Sequence, residues 1–288
     1  MVLSENNFSA TGQLNEIGKL FREHKKSLQH VACRGLKQDG EGDGDDGEET
    51  LDFTNFFEGL CDLDPKLLKC LDLDTCTIAG NDDLVISFLS ECSELQELHL
   101  EQCEVSNDKM LIKLFSALDN KPNLHTLSLA ACRLTSDGSL FPNPDELEGT
   151  KKKECADDTE ESQEPVVVDP VAEDDTDCWT NEELLSALKS WFKFMPNGIK
   201  NLKLEAMELT TAVLDACFKE MKRHPTLEIL DLSSNQELEV GIVHSLADCD
   251  FPALVKVNLY DTEIEEHEVS DLDIARRVEF QFEAHYSW

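Results

Sequence analysis

The chain has 288 residues, with 61 acidic against 25 basic side chains, a formal charge of −36 and a sequence pI near 4.3. A chain this anionic is repelled by DNA, RNA and anionic lipid, which are bound through Lys and Arg that release counterions, so direct nucleic-acid binding and membrane association are set aside and a protein with a basic surface is favoured. Hydrophobic residues make up 40% of the chain, enough to bury a sizeable core, and no stretch approaches the ~18 uninterrupted apolar residues of a membrane span.

The opening MVLSENNFSATGQ has neither the basic start nor the apolar stretch of a secretory leader. The 11 cysteines are an odd number, and several recur at one position of a repeat, so they read as reduced, small apolar core residues of an intracellular protein, nuclear or cytoplasmic. Residues 1–37 read as irregular N-terminal repeats: LSENNF at Leu3 resembles the tail of one, and LQHVACRGL from Leu28 is a weak unit. A solenoid that starts inside a repeat lacks its cap, which implies a fragment or a missing neighbouring domain.

Residues 38–50 are too polar to join a core and read as an acidic disordered insertion. DGEGDGDDGEET from Asp39 imitates a calcium loop at Asp39, Glu41, Asp43 and Gly44, but Asp46 and Thr50 stand where that loop needs an apolar residue and a bidentate Glu.

Residues 51–137 and 179–288 carry the informative pattern, L-x-x-L-x-L-x-x-(C/N/T)-x-L. It recurs as LKCLDLDTCTI from Leu68, LQELHLEQCEV from Leu95, LHTLSLAACRL from Leu124, IKNLKLEAMEL from Ile199, LEILDLSSNQEL from Leu227 and LVKVNLYDTEI from Leu254, with a weaker ARRVEFQF from Ala275. The starts lie 27, 29, 75, 28 and 27 residues apart. The long gap equals one repeat of about 28 residues plus an insertion of about 47, placed at residues 138–178, where Lys151 to Lys153 precede an acidic run containing Pro165 and Pro170. Such a tract serves either as bait for basic tails or as a plain solubilising loop.

Within each unit the first three template leucines point inward from a short strand, and the strands stack in parallel. The ninth position turns a small or hydrogen-bonding side chain inward, which suits Cys76, Cys103, Cys132, Asn235 and Thr262, whereas Met207 departs from the pattern. DDLVISFLSEC, NDKMLIKLFSALD, NEELLSALKSWFKFM and TAVLDACFKEMKRH follow with helical spacing, capped by Asn107, Asn181 and either Thr210 or Thr211. Trp179, Trp191 and Trp288 read as packing residues.

A strand plus a full helix in 27 to 29 residues resembles the long, ribonuclease-inhibitor-like class of leucine-rich repeat. That likeness implies an α/β solenoid of about seven to nine repeats, strands on the concave face and helices on the convex face. Residues between the inward leucines face the concave surface, and Asp72, Asp74, Glu97, His99, Glu101, Ser128, Lys203, Asp231, Asn258 and Tyr260 are the candidate partner-binding set. With strands ~4.8 Å apart, Asp72, Asp74, Glu97 and Glu101 fall in one patch that a basic partner would neutralise, the alternative being plain solvated charge. Glu97, His99 and Glu101 also invite a metal or acid–base reading, set aside because an open, wet strand face lacks an enclosing pocket.

No nucleophile elbow, phosphate-cradling loop, CxxC pair or HExxH is present, so neither catalysis nor a metal or other cofactor is expected. LDLSSNQELEVGIVHSLADCDFPALVKVNL from Leu230 resembles the C-terminal repeats of Tonsoku-like DNA-repair scaffolds, as FLSECSELQELHLEQC and LHTLSLAACRL do more loosely. That resemblance implies a scaffold that works through nuclear protein partners in replication-fork repair, while the acidic tracts suit basic tails such as those of histones. The repeats are also similar to those of the Ran GTPase-activating protein, which implies the alternative of a regulator or stoichiometric inhibitor of a partner enzyme such as a small GTPase. As a single solenoid, the chain is expected to be a monomer or part of a larger chain or complex.

Overall fold

The computed structural model of the protein describes residues 11–36, 52–106, 108–119, 121–131, 133–134 and 181–282. The two insertions, Cys132, the cap at Asn107, LSENNF, Trp179 and Trp288 lie outside these residues. Along the chain run α1 (Thr11–Glu23), β1 (His30–Ala32), α2 (Thr54–Cys61), β2 (Cys70–Asp72), α3 (Asp82–Glu91), β3 (Glu97–His99), β4 (Glu104–Val105), α4 (Asp108–Leu118), β5 (Thr126–Ser128) and β6 (Arg133–Leu134). After the long insertion follow α5 (Asn181–Phe194), β7 (Asn201–Lys203), α6 (Thr211–Met221), β8 (Ile229–Asp231), α7 (Gly241–Ala247), β9 (Lys256–Asn258), α8 (Glu266–Ser270), a 3₁₀ turn (Asp273–Arg276) and β10 (Glu279–Gln281).

All the template segments supply strands, and so do both weak flanking units. They form one eight-stranded parallel sheet in the order β1-β2-β3-β5-β7-β8-β9-β10, while β4 and β6 make a second, two-stranded ladder. Register never slips: Leu71, Leu98, Leu127, Leu202, Leu230 and Val257 are successive partners. β5 meets β7 directly, Thr126 opposite Asn201, so the long insertion falls inside one repeat and leaves the sheet continuous. The chain is a leucine-rich-repeat solenoid of the strand-and-helix type.

Packing follows from the alternation of side chains across each strand. The inward residues at the first, fourth and sixth template positions, from Leu68 to Leu259, are all 2% exposed or less. Behind them lies a row of aromatic rings: Phe115 and Trp191 at 5.2 Å, Trp191 and Phe192 at 5.4 Å, Phe192 and Phe218 at 5.8 Å, and Phe218 and Phe251 at 6.1 Å between centroids. The first of these pairs joins α4 to α5 across the insertion, which makes the core as continuous as the sheet. At the N-terminal end α1 and α2 meet through glycine, where a Cβ on Gly59 would lie 2.3 Å from the Gly18 carbonyl oxygen.

β1, β2, β3, β5, β7, β8 and β9 each lead into a left-handed turn at the eighth template position. Thr75, Gln102, Ala131, Ala206, Ser234 and Asp261 occupy the eighth position of successive units, all with φ between 49° and 60°, and Gly35 takes the equivalent place at 79°. A side chain in this left-handed region costs roughly 1–2 kcal/mol. Compensation comes from a second hydrogen-bond ladder: the Thr75 N–H donates to the Glu101 carbonyl at 2.6 Å, Gln102 to Ala130 at 2.6 Å, Ala131 to Glu205 at 2.7 Å, Ala206 to Ser233 at 2.9 Å and Ser234 to Tyr260 at 2.7 Å.

The ninth position behaves as its chemistry requires. Cys76 and Cys103 are fully buried, with thiols donating to the Cys33 carbonyl at 2.8 Å and the Leu73 carbonyl at 3.0 Å. Asn235 donates to the carbonyls of Leu204 and Leu232, and its amide oxygen accepts from the N–H groups of Met207 at 3.0 Å and Leu209 at 2.9 Å. That bracket explains why Met207 is tolerated: the neighbouring repeat holds the turn that a thioether cannot. Thr210 caps α6, its hydroxyl accepting from the Val213 N–H at 3.3 Å, while Asn181 is the first residue of α5. The eight cysteines among the described residues are free thiols, and burial pushes those of Cys61, Cys76, Cys92 and Cys217 up to about 12, which keeps them protonated and unreactive. Among the described residues no helix is long and apolar enough to cross a membrane.

Candidate functional site

The concave face is built from the third, fifth and seventh template positions, and each has its own environment. Four of the six fifth-position side chains are buried, Asp72 at 4% exposed, Ser128 3%, Asp231 2% and Asn258 9%, whereas His99 and Lys203 each keep 23% of the side chain exposed. Three of the buried four brace the turn that follows. A carboxylate or amide oxygen of Asp72, Asp231 and Asn258 accepts the N–H two residues on, from Asp74 at 3.2 Å, Ser233 at 3.0 Å and Tyr260 at 3.1 Å. This is the Asx-turn geometry that competes with further strand and ends it. Ser128, Asp231 and Asn258 therefore offer little surface and Asp72 lies beneath the Arg34 side chain, so the openly exposed contact surface falls to the third- and seventh-position neighbours.

The N-terminal half gathers charge of both signs. Asp72 receives the Arg34 guanidinium, with Nε at 2.7 Å and the terminal nitrogen at 2.6 Å from the same carboxylate oxygen. Asp74 lies 3.7 Å from Arg34 Nε, and its other oxygen accepts the Glu101 N–H at 2.8 Å. Burial pushes the Asp74 carboxyl up to about 6; the hydrogen bond from Glu101 opposes the rise, and the carboxylates of Asp72 and Glu101 add to it. Glu101 accepts from the Ser128 hydroxyl at 2.8 Å and pairs with Lys203 at 3.1 Å, and Lys203 also reaches Glu205 at 2.8 Å. For Lys203, burial favours the neutral amine, but the two glutamates outweigh it and hold the ammonium above its ordinary range. Glu97, with a side chain 42% exposed, stands 3.7 Å from His99 Nε2.

The predicted acidic patch is therefore a row of mixed charge, Arg34 with Asp72 and Asp74, then Glu101, Lys203 and Glu205, crossing β1 to β7. Sequence reading placed its acids and Lys203 on this face. Arg34 was not foreseen, because it follows β1 in a weak unit and meets Asp72 only through the stacking of strands. Glu205 occupied a recognised concave position without being singled out.

One ligand atom each from Asp74, His99 and Glu101 fall within 4.8 Å of one another. Arg34 and Lys203 already neutralise the two carboxylates of that trio, and its open strand face lacks the enclosure that a tight cation site uses. At the C-terminal half the face becomes more apolar, with Ile229 half-buried, Tyr260 40% exposed and Val255 56% exposed at the strand margin.

No family model matches the chain, and no curated protein is significantly similar to it in sequence. Among solved structures, the tropomodulin C-terminal domain of Caenorhabditis elegans superposes with a TM-score of 0.40 at 10% identity, over 72% of this chain and 90% of that one. A protein from Bacteroides fragilis gives 0.46 at 12% identity, over 95% of this chain and 61% of its own. An internalin from Listeria monocytogenes gives 0.43 at 15% identity, over 94% of this chain and likewise 61% of its own. This chain thus spans about three fifths of the length of the latter two.

Proposed function

We propose that the protein is a non-enzymatic scaffold that holds a partner protein with a basic surface against the concave sheet. The observation that carries this reading is the open eight-stranded face, on which Glu97, Glu101 and Glu205 keep 42%, 30% and 36% of their side-chain surface exposed while the carboxylates beneath them are braced internally. An open, pre-formed charged surface selects partners by complementarity and accelerates their encounter. Histone tails and the basic faces of small GTPases have this chemistry, and the scaffold role agrees with what the resemblance to Tonsoku-like C-terminal repeats implies. The repeat length of 27 to 29 residues supports assignment to the ribonuclease-inhibitor-like class.

Capture of partners from a cell extract at about 0.15 M salt, with the parent beside the triple variant Glu97→Lys, Glu101→Lys, Glu205→Lys, tests the proposal. Basic proteins retained by the parent and lost by the variant are expected. Identical captures by both would move the binding surface away from this face.

A further inference from the structure

Asp72 and Arg34 are unequal partners. The Asp72 side chain is 6% exposed and fixed on both sides, by β2 and by the Asp74 N–H, whereas the Arg34 side chain is 52% exposed. Its backbone leaves β1 immediately before the left-handed Gly35, whose N–H donates to the Asp74 carbonyl at 2.9 Å. The acidic seat is thus rigid, while the cation on it arrives at the end of a long, half-solvated side chain. Asp74 forms the second wall of the seat, 3.7 Å from Arg34 Nε, and Glu101 extends it toward Lys203.

We infer that the Asp72–Asp74 seat is a guanidinium-binding site for an arginine of the partner, and that Arg34 is an autoinhibitory occupant which the partner must displace. This inference rests on the scaffold reading above and gives it a chemistry. A guanidinium matches the seat because it is planar, permanently charged and able to reach two carboxylates through separate N–H groups; an ammonium offers a point charge that cannot span them. Displacement exchanges one guanidinium for another, so Asp72 is never left unpaired, and Arg34 passes into water that already reaches half of its side chain. Apparent affinity falls by the fraction of time the seat is vacant, so emptying it permanently strengthens binding without any new contact.

The experiment is a calorimetric titration of the parent chain with a short peptide alternating Arg and Gly, and with its Lys counterpart. The same titrations follow with Arg34→Gln, and with Arg34→Gln combined with Asp72→Asn and Asp74→Asn. Arg34→Gln is expected to bind the Arg peptide about tenfold more tightly than the parent, to favour it over the Lys peptide, and to lose the gain when the two aspartates are neutralised. An unchanged affinity in Arg34→Gln, or a gain that survives neutralisation, overturns the inference. Should Arg34→Gln unfold, Arg34→Lys retains the charge but not the fork, and an Arg-peptide affinity no higher than the parent's overturns the inference equally. Partner capture that depends on Glu97, Glu101 and Glu205 while none of these titrations shifts would sink the seat and leave the scaffold standing.

Discussion

Asp72 on β2 and Asp231 on β8 occupy the same template position and brace the same turn, yet they differ in what their remaining capacity does. Asp231 turns inward on its own repeat, accepting the Ser233 hydroxyl as well as its N–H. Asp72 faces Asp74 and takes a cation from a different repeat. The seventh residue decides between the two: a hydroxyl closes the bracket locally, whereas a second carboxylate leaves charge that must be answered from outside. The ninth position divides the molecule in the same way, with thiols as weak donors at Cys76 and Cys103 in the N-terminal half and the amide of Asn235, which both donates and accepts, in the C-terminal half.

That contrast predicts unequal costs. Asn235→Ala leaves the Met207 and Leu209 N–H groups and two carbonyls without their partner in a dry interior, and about 3–5 kcal/mol should be lost, read by denaturant unfolding. A loss under about 1 kcal/mol would show that the bracket is redundant. Gly59→Ala drives a methyl group into the Gly18 backbone and should cost about 2–3 kcal/mol, concentrated in α1 and α2 and visible as faster hydrogen exchange there. Cys103→Ala removes one weak donor and little volume, so about 1 kcal/mol or less is expected; a cost equal to that of Asn235→Ala would erase the distinction between the halves.

Acid should separate the halves further. Burial holds the His224 imidazole below its ordinary value, and its ring sits between the Leu227 N–H at 3.1 Å and the Pro196 carbonyl at 3.1 Å, with Arg223 and Asp250 paired alongside. Its folded value lies beneath the unfolded one, so the stability it confers is complete above about pH 6.5 and declines as the pH falls below that point. Asp74 works in the opposite sense: raised to about 6 from 3.8, it takes up its proton earlier in the folded state, and folding gains as the pH drops through that window. Hydrogen exchange between about pH 6.5 and 4 should therefore show β8 loosening relative to β2, and His224→Gln should flatten the difference. The smallest expected effect is a gain: Ala206→Gly relieves the left-handed penalty but adds chain entropy on unfolding, a net stabilisation of about 0.5 kcal/mol in thermal unfolding.

Much of this architecture could be read directly from residue spacing. Leu71, Leu98, Leu127, Leu202 and Leu230 repeat at intervals that permit one stacking register, and the weak units at Leu28 and Ala275 joined the same sheet because Val31 and Phe280 keep the alternation. What spacing could not disclose depends on neighbours in the stack. Arg34 meets Asp72 across 38 residues of chain, the Gly18–Gly59 contact exists only once two helices cross, and the eighth-position turns carry no glycine except Gly35. Lys121 illustrates the limit: an apparent surface lysine, it is 3% exposed because its ammonium donates to the Ser90 carbonyl near the end of α3. Candidate site residues were legible as positions on a face, while their exposure and pairing were not.

The second ladder, in which each turn hands its N–H to the seventh residue of the following unit, is written entirely in main-chain atoms and has the same form at every junction, from Gly35 to Ser234. Junctions of that kind are interchangeable parts. A unit can be duplicated, excised or split by a foreign segment and the cut ends will still find complementary edges, so the molecule can lengthen or acquire insertions without redesigning its seams.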